Sequence, residues 1–165
     1  MKNKEMKTRT FWGRVAPYAL AVVLCLALGW VASMLQREAL AEWYPSLAKS
    51  PLTPPGIVFP LAWSALYVLI GIAFGAAWHA SAESRGALLG WWGVQCVLNF
   101  LWSVSFFYAR SPWAGMVVIV ALLVAVVVFM VKSRRACRVA FGCFVPYLLW
   151  LAFAAYLNAY VCLYN

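Results

Sequence analysis

A chain of 165 residues that is 67% hydrophobic and only 10% charged excludes an ordinary soluble domain, in which about a quarter of residues are charged. Its net charge of +9 would suggest nucleic acid in a soluble protein. Here the basic residues sit at the ends of apolar runs, where they orient a membrane protein, so no nucleic acid is expected as a partner.

Residues 1–14 are polar and basic, with Lys2, Lys4, Lys7, Arg9 and Arg14 against Glu5. The apolar run Val15 to Leu35, with Pro17 near its start, is too long for the h-region of a signal peptide and is read as a retained span. Residues 36–56 form the longest loop and carry Arg37, Glu38, Glu42 and Lys49. Loops of that length are often functional. At Pro54-Pro55 the chain turns into an uncharged run. Proline suits the first turn of a helix, and Thr53 stands where a hydroxyl would cap it. The 22 positions from 57 to 78, at 1.5 Å rise each, cover the roughly 30 Å of a bilayer core. After a short link holding His79, Glu83 and Arg85 come spans at about 87–108, 112–131 and 139–163. Lys132, Arg134, Arg135 and Arg138 lie between the last two. The fold class is an all-α integral membrane protein, a single domain (1–165) built as a bundle of five transmembrane helices in the lipid bilayer.

Lysine and arginine count five, one and four in the N-terminus and the links 79–86 and 132–138, against Arg37, Lys49 and Arg110 on the other side. That asymmetry places the N-terminus in the cytoplasm of a bacterial cell membrane, with the 36–56 loop capping the outer face.

No ionisable Asp, Glu, Lys, Arg or His lies inside a span, which argues against an ion-coupled pump and leaves no general base beside a Ser or Cys. Five scattered cysteines (25, 96, 137, 143 and 162) without a C-x-x-C pattern argue against a disulfide framework or a metal site. They read as small apolar residues, and His79 reads as interfacial rather than as a haem ligand. What remains is aromatic and amide. Gln95, Asn99, Trp102 and Phe106 share one helix face by their spacing; so do Phe59, Trp63 and Tyr67, and Pro146, Trp150, Ala154 and Asn158. An amide facing lipid would leave its hydrogen bonds unmade, so Gln95, Asn99 and Asn158 should point inward. They serve either as interhelical glue, worth about 1 kcal/mol each, or as part of a site. Inward-facing central indoles favour an uncharged aromatic pocket for a flat apolar ligand. Gly71-xxx-Gly75 and Gly86-xxx-Gly90 permit close helix approach, within the bundle or between two copies.

The pieces WYPSL (43–47), PPGIVFPLAWSALY (54–67), QCVLNFLWSVSFF (95–107) and PYLLWLAFAAYLN (146–158) in this order resemble the TspO/MBR family (translocator protein, tryptophan-rich sensory protein, peripheral-type benzodiazepine receptor). The resemblance covers nearly the whole chain. It implies a five-helix bundle, often homodimeric, binding tetrapyrroles such as protoporphyrin IX and haem, sterols and benzodiazepine-site drugs. By motif position it implies Trp63, Trp102, Trp113, Trp150, Ala154 and Leu157 as pocket lining, with Asn99 and Asn158 as inward polar positions. Tyr67 and Phe106 join them by helix face. Trp63 and Trp150 match a pair implicated in light-dependent porphyrin breakdown in some relatives.

Two departures stand out. Tryptophans common in the family around the double proline are Leu52 and Ile57 here. Ala159 and Leu163 occupy the positions where a sterol pattern needs Tyr and a basic residue, which argues against a sterol ligand. The leading reading is a membrane receptor or sensor for tetrapyrroles that also moves or sequesters them and requires no cofactor. The alternatives are a light- and oxygen-dependent porphyrin-degrading enzyme and a structural or regulatory membrane subunit.

Overall fold

In lipid an uncharged stretch has no hydrogen-bond partner but itself, so it closes its backbone bonds as helix. The computed structural model describes residues 2–165, with side chains from Trp12 onward; the basic side chains at positions 2–9 lie outside the described residues. It contains α1 (Lys2–Glu38), α2 (Val58–Trp78), α3 (Ala82–Ser103), α4 (Pro112–Ala136) and α5 (Arg138–Tyr164). All five are long and apolar enough to cross a membrane, and the protein is a multi-pass integral membrane protein.

Several boundaries differ from the sequence reading. The 36–56 stretch is helical in its first half: α1 runs to Glu38 and continues as a π turn over Ala39–Trp43 and a 3-10 turn over Tyr44–Ser46. The polarity change at Gln36 marks where the chain leaves the apolar layer, and the helix persists beyond it. Thr53 and the double proline precede α2 rather than opening it. The position before Val58 is Ile57, without a side-chain cap, and the Pro55 carbonyl accepts from the Val58 amide at 2.9 Å. Residues before proline are pushed toward extended backbone, which delays the helix past the pair. α3 starts at Ala82, five residues before the apolar run, with the Ser81 carbonyl accepting from Ser84 and Arg85. α4 opens with Pro112 at its first turn and the Ser111 hydroxyl capping Ala114 at 3.4 Å. Arg110, at φ 50°, makes the tight turn before it.

Around the bundle α1 packs on α2, α2 on α5, α5 on α4 and α4 on α3, while α3 closes against α2 and α1. The α1–α2 contact is close because its residues are small. A Cβ at Gly71 would fall on the Val22 backbone, and one at Gly75 on the Tyr18 ring. The buried positions of α1 are Ala21, Cys25 and Ala32, followed by Ala39 in the π turn. Large residues fill the centre, with Phe129, Phe144, Tyr147, Ile70 and Leu122 fully enclosed. Leu20, Val117, Val131 and Leu149 stand exposed on the outside, as a lipid-facing surface requires.

Candidate ligand-binding site

Aromatic rings from α2, α3 and α5 converge at the end of the bundle that the 39–57 segment covers. Trp63 lies 5.7 Å from Tyr67, 6.1 Å from Trp102 and 6.4 Å from Tyr147, centroid to centroid. Trp102 stacks on Phe106 at 5.9 Å. Trp43 and Tyr44 cover Phe106 edge-on from above, at 5.6 and 6.4 Å. Trp150 sits on the neighbouring side, against Phe59 at 6.0 Å and Phe153 at 5.9 Å. Such pairs contribute about 0.5–1.5 kcal/mol each beyond burial.

Below the rings the inward amides form one connected network. Tyr67 donates its hydroxyl to Asn99 Oδ1 (3.1 Å), Asn99 Nδ2 donates to the Tyr147 hydroxyl (3.0 Å), and Tyr147 donates to Gln95 Oε1 (3.0 Å). Gln95 Nε2 donates to Cys96 Sγ at 3.0 Å. Asn158 is a second polar joint: its Oδ1 accepts from the Trp102 indole at 3.2 Å and its Nδ2 donates to the Pro112 carbonyl at 2.9 Å. All three amides expected to face inward are buried. Trp150 differs from Trp102, because its indole nitrogen is buried without a hydrogen-bond partner among the described residues.

The covering segment is fastened at several points. Ala48 donates to Asn165 Oδ1 (2.9 Å), and Asn165 Nδ2 donates to the Ala48 carbonyl (3.2 Å). The Ser50 and Tyr156 hydroxyls meet at 2.8 Å. Arg110 pairs with Glu38 at 2.6 Å and lies 3.9 Å from Glu42. Lys49 Nζ stands 5.0 Å over the Tyr44 ring. Two π turns, Ala39–Trp43 and Val104–Tyr108, flank the ring cluster; such turns recur at functional sites.

Of the residues singled out in the sequence, Trp63, Tyr67, Trp102 and Phe106 are brought together through ring contacts, with Asn99 and Asn158 bonded to them. Ala154 packs on Trp102 and Phe106, and Leu157 is buried nearby on α5. Trp113 is not brought in and is 65% exposed. The buried face of α4 is Gly115, Ile119 and Leu122, and a residue two positions before Gly115 points away from that face. Nor do the indoles leave the open slot expected between Trp63 and Trp150, since each packs on other rings. A cavity of about 10 Å³, lined by Cys25, Leu28, Tyr67, Ile70, Gln95, Cys96, Asn99 and Phe100 rather than by either indole, is the size of one water. Sequence reasoning missed Tyr147, which joins both amides of α3. Its spacing of seven to Ala154 and eleven to Asn158 put it on the inward face. His79 lies at the other end of the molecule, stacked on Tyr18 and 3.0 Å from the Arg14 carbonyl.

A sequence model of the TspO/MBR family matches residues 21–164. The chain is 36% identical to the tryptophan-rich protein TspO of Chlorobaculum tepidum, over 88% of this chain and 93% of that one. It is 34% identical to a tryptophan-rich protein TspO of Archaeoglobus fulgidus, over 88% and 94%. It is also 34% identical to the translocator protein of Ovis aries, over 71% of each.

Proposed function

Because this chain belongs to the TspO/MBR family, a family of membrane sensors and translocators, we propose that it binds a tetrapyrrole such as protoporphyrin IX or haem among the rings of Trp63, Trp102 and Trp150. The observation that carries this reading is the neutral aromatic wall drawn from three helices, with the unpartnered Trp150 indole N–H at its edge. Flat indole and phenyl faces suit a planar macrocycle held by stacking and dispersion. The free N–H offers one donor to a polar group on its rim. Lys49, over the Tyr44 ring, offers a positive charge to a propionate.

The chemistry of the walls fits such a guest, while the closed packing of the rings does not yet give it room. Binding therefore proceeds with the cover of residues 43–57 lifting and the rings parting. The same motion would serve sensing, sequestration or transfer of the ligand. Two copies are proposed to associate through α3. Gly86 and Gly90 have nothing near their Cβ positions, and Val94, Val97 and Leu101 continue that exposed face. The N-terminus is proposed to face the cytoplasm.

The test is a titration of the full chain in lipid nanodiscs with protoporphyrin IX, read by tryptophan fluorescence and porphyrin absorbance. The Trp63→Phe/Trp150→Phe protein should bind roughly tenfold more weakly, in line with the worth of one or two aromatic contacts. Unchanged affinity in that variant would overturn the site.

A further inference from the structure

The sequence offered Cys25 and Cys96 as scattered small apolar residues, but the fold brings them together. Cys25 lies on the buried, small-residue stripe of α1 with Ala21 and Ala32, which lets α1 approach its neighbours closely. Cys96, on α3, lines the same water-sized cavity as Cys25, together with Tyr67, Gln95 and Asn99. The Gln95 carboxamide donates to the Cys96 sulfur at 3.0 Å. Apolar filler needs no hydrogen-bond donor on sulfur.

We propose that Cys25 and Cys96 form an oxidisable dithiol, a modification site that links α1 to α3 as a disulfide when a hydroperoxide reaches the cavity. With hydrogen peroxide, one thiol sulfur bonds to a peroxide oxygen as the O–O bond breaks. The thiol proton leaves with the other oxygen as water, and a sulfenic acid remains. The second thiol then attacks that sulfur, its proton joins the departing hydroxyl as a second water, and the S–S bond closes. Two thiols are oxidised by two electrons and one peroxide is reduced to two waters. The product is uncharged, which suits an apolar interior where a stranded thiolate would be costly. The Gln95 contact ties this event to Tyr147, Asn99 and Tyr67 through the hydrogen bonds described above.

The test treats the full chain in nanodiscs with hydrogen peroxide, alkylates the remaining thiols and maps them by proteolytic mass spectrometry, with no tetrapyrrole present. A dithiothreitol-reversible cross-link between the Cys25 and Cys96 peptides is expected, while Cys137, Cys143 and Cys162 stay unlinked to either. In the Cys25→Ser protein the cross-link should vanish and Cys96 should be trapped as a sulfenic acid by dimedone. The proposal is overturned if both thiols remain fully alkylated at peroxide levels that consume the peripheral cysteines, or if either pairs with one of those instead. This outcome is independent of the porphyrin titration, so the two readings fail separately.

Discussion

At the residue scale, Tyr147 is the joint on which the interior depends. It is fully enclosed, receives a hydrogen bond from Asn99 and gives one to Gln95. Tyr147→Phe keeps the ring and removes only the oxygen, leaving one amide donor and one carbonyl acceptor unpaired. Each such loss costs about 1–3 kcal/mol in a buried site and nearer 1 within a membrane bundle. The variant should therefore unfold at a lower temperature in detergent, by an amount corresponding to about 2 kcal/mol. Equal melting of the two proteins would mean that the network is incidental. The inward direction of the amides was legible from their chemistry alone, since lipid offers them nothing. Their bonding to Tyr147 was not, because a partner on another helix depends on how α3 and α5 are set against each other.

At the element scale, the two small-xxx-small pairs have different jobs. Gly71 and Gly75 sit under α1, where a side chain would meet the Val22 backbone and the Tyr18 ring. Gly86 and Gly90 face open space. Gly71→Val should force α1 off α2 and lower stability by about 1–3 kcal/mol, the usual cost of overpacking, seen as reduced melting temperature. Gly90→Leu should leave the monomer's melting unchanged and shift any dimer toward monomer in size-exclusion chromatography with light scattering. Loss of folding in Gly90→Leu would show that α3 packs inside the bundle after all. The pattern Gly-xxx-Gly is the same in both places, and periodicity could not say which pair is buried. Helix existence was legible from uncharged length. Helix ends were not, because α1 and α3 extend through polar residues that hydropathy assigns to loops.

At the scale of the whole molecule, the cover is held to α5 by Asn165 on Ala48 and by Tyr156 on Ser50. Removing these contacts with Ser50→Ala and Asn165→Ala should make residues 47–57 more accessible to protease. It should also speed protoporphyrin IX association several-fold in stopped-flow quenching, since each bond contributes about 1 kcal/mol to closure. An unaltered association rate would mean that entry does not pass through the cover. If the distribution of lysine and arginine sets the orientation, a reporter fused to the N-terminus is active only on the cytoplasmic side; activity on the other side would overturn that orientation. What the sequence determined by itself was the solvent and the architecture. Long uncharged runs must be helices in lipid, and buried amides must turn inward. Only the tertiary structure decided which rings meet, that Trp113 faces outward, that the indoles pack rather than stand apart, and that two distant cysteines line one cavity. Those outcomes depend on the rotation and spacing of helices about one another, which packing across the whole bundle decides and no single stretch of sequence encodes.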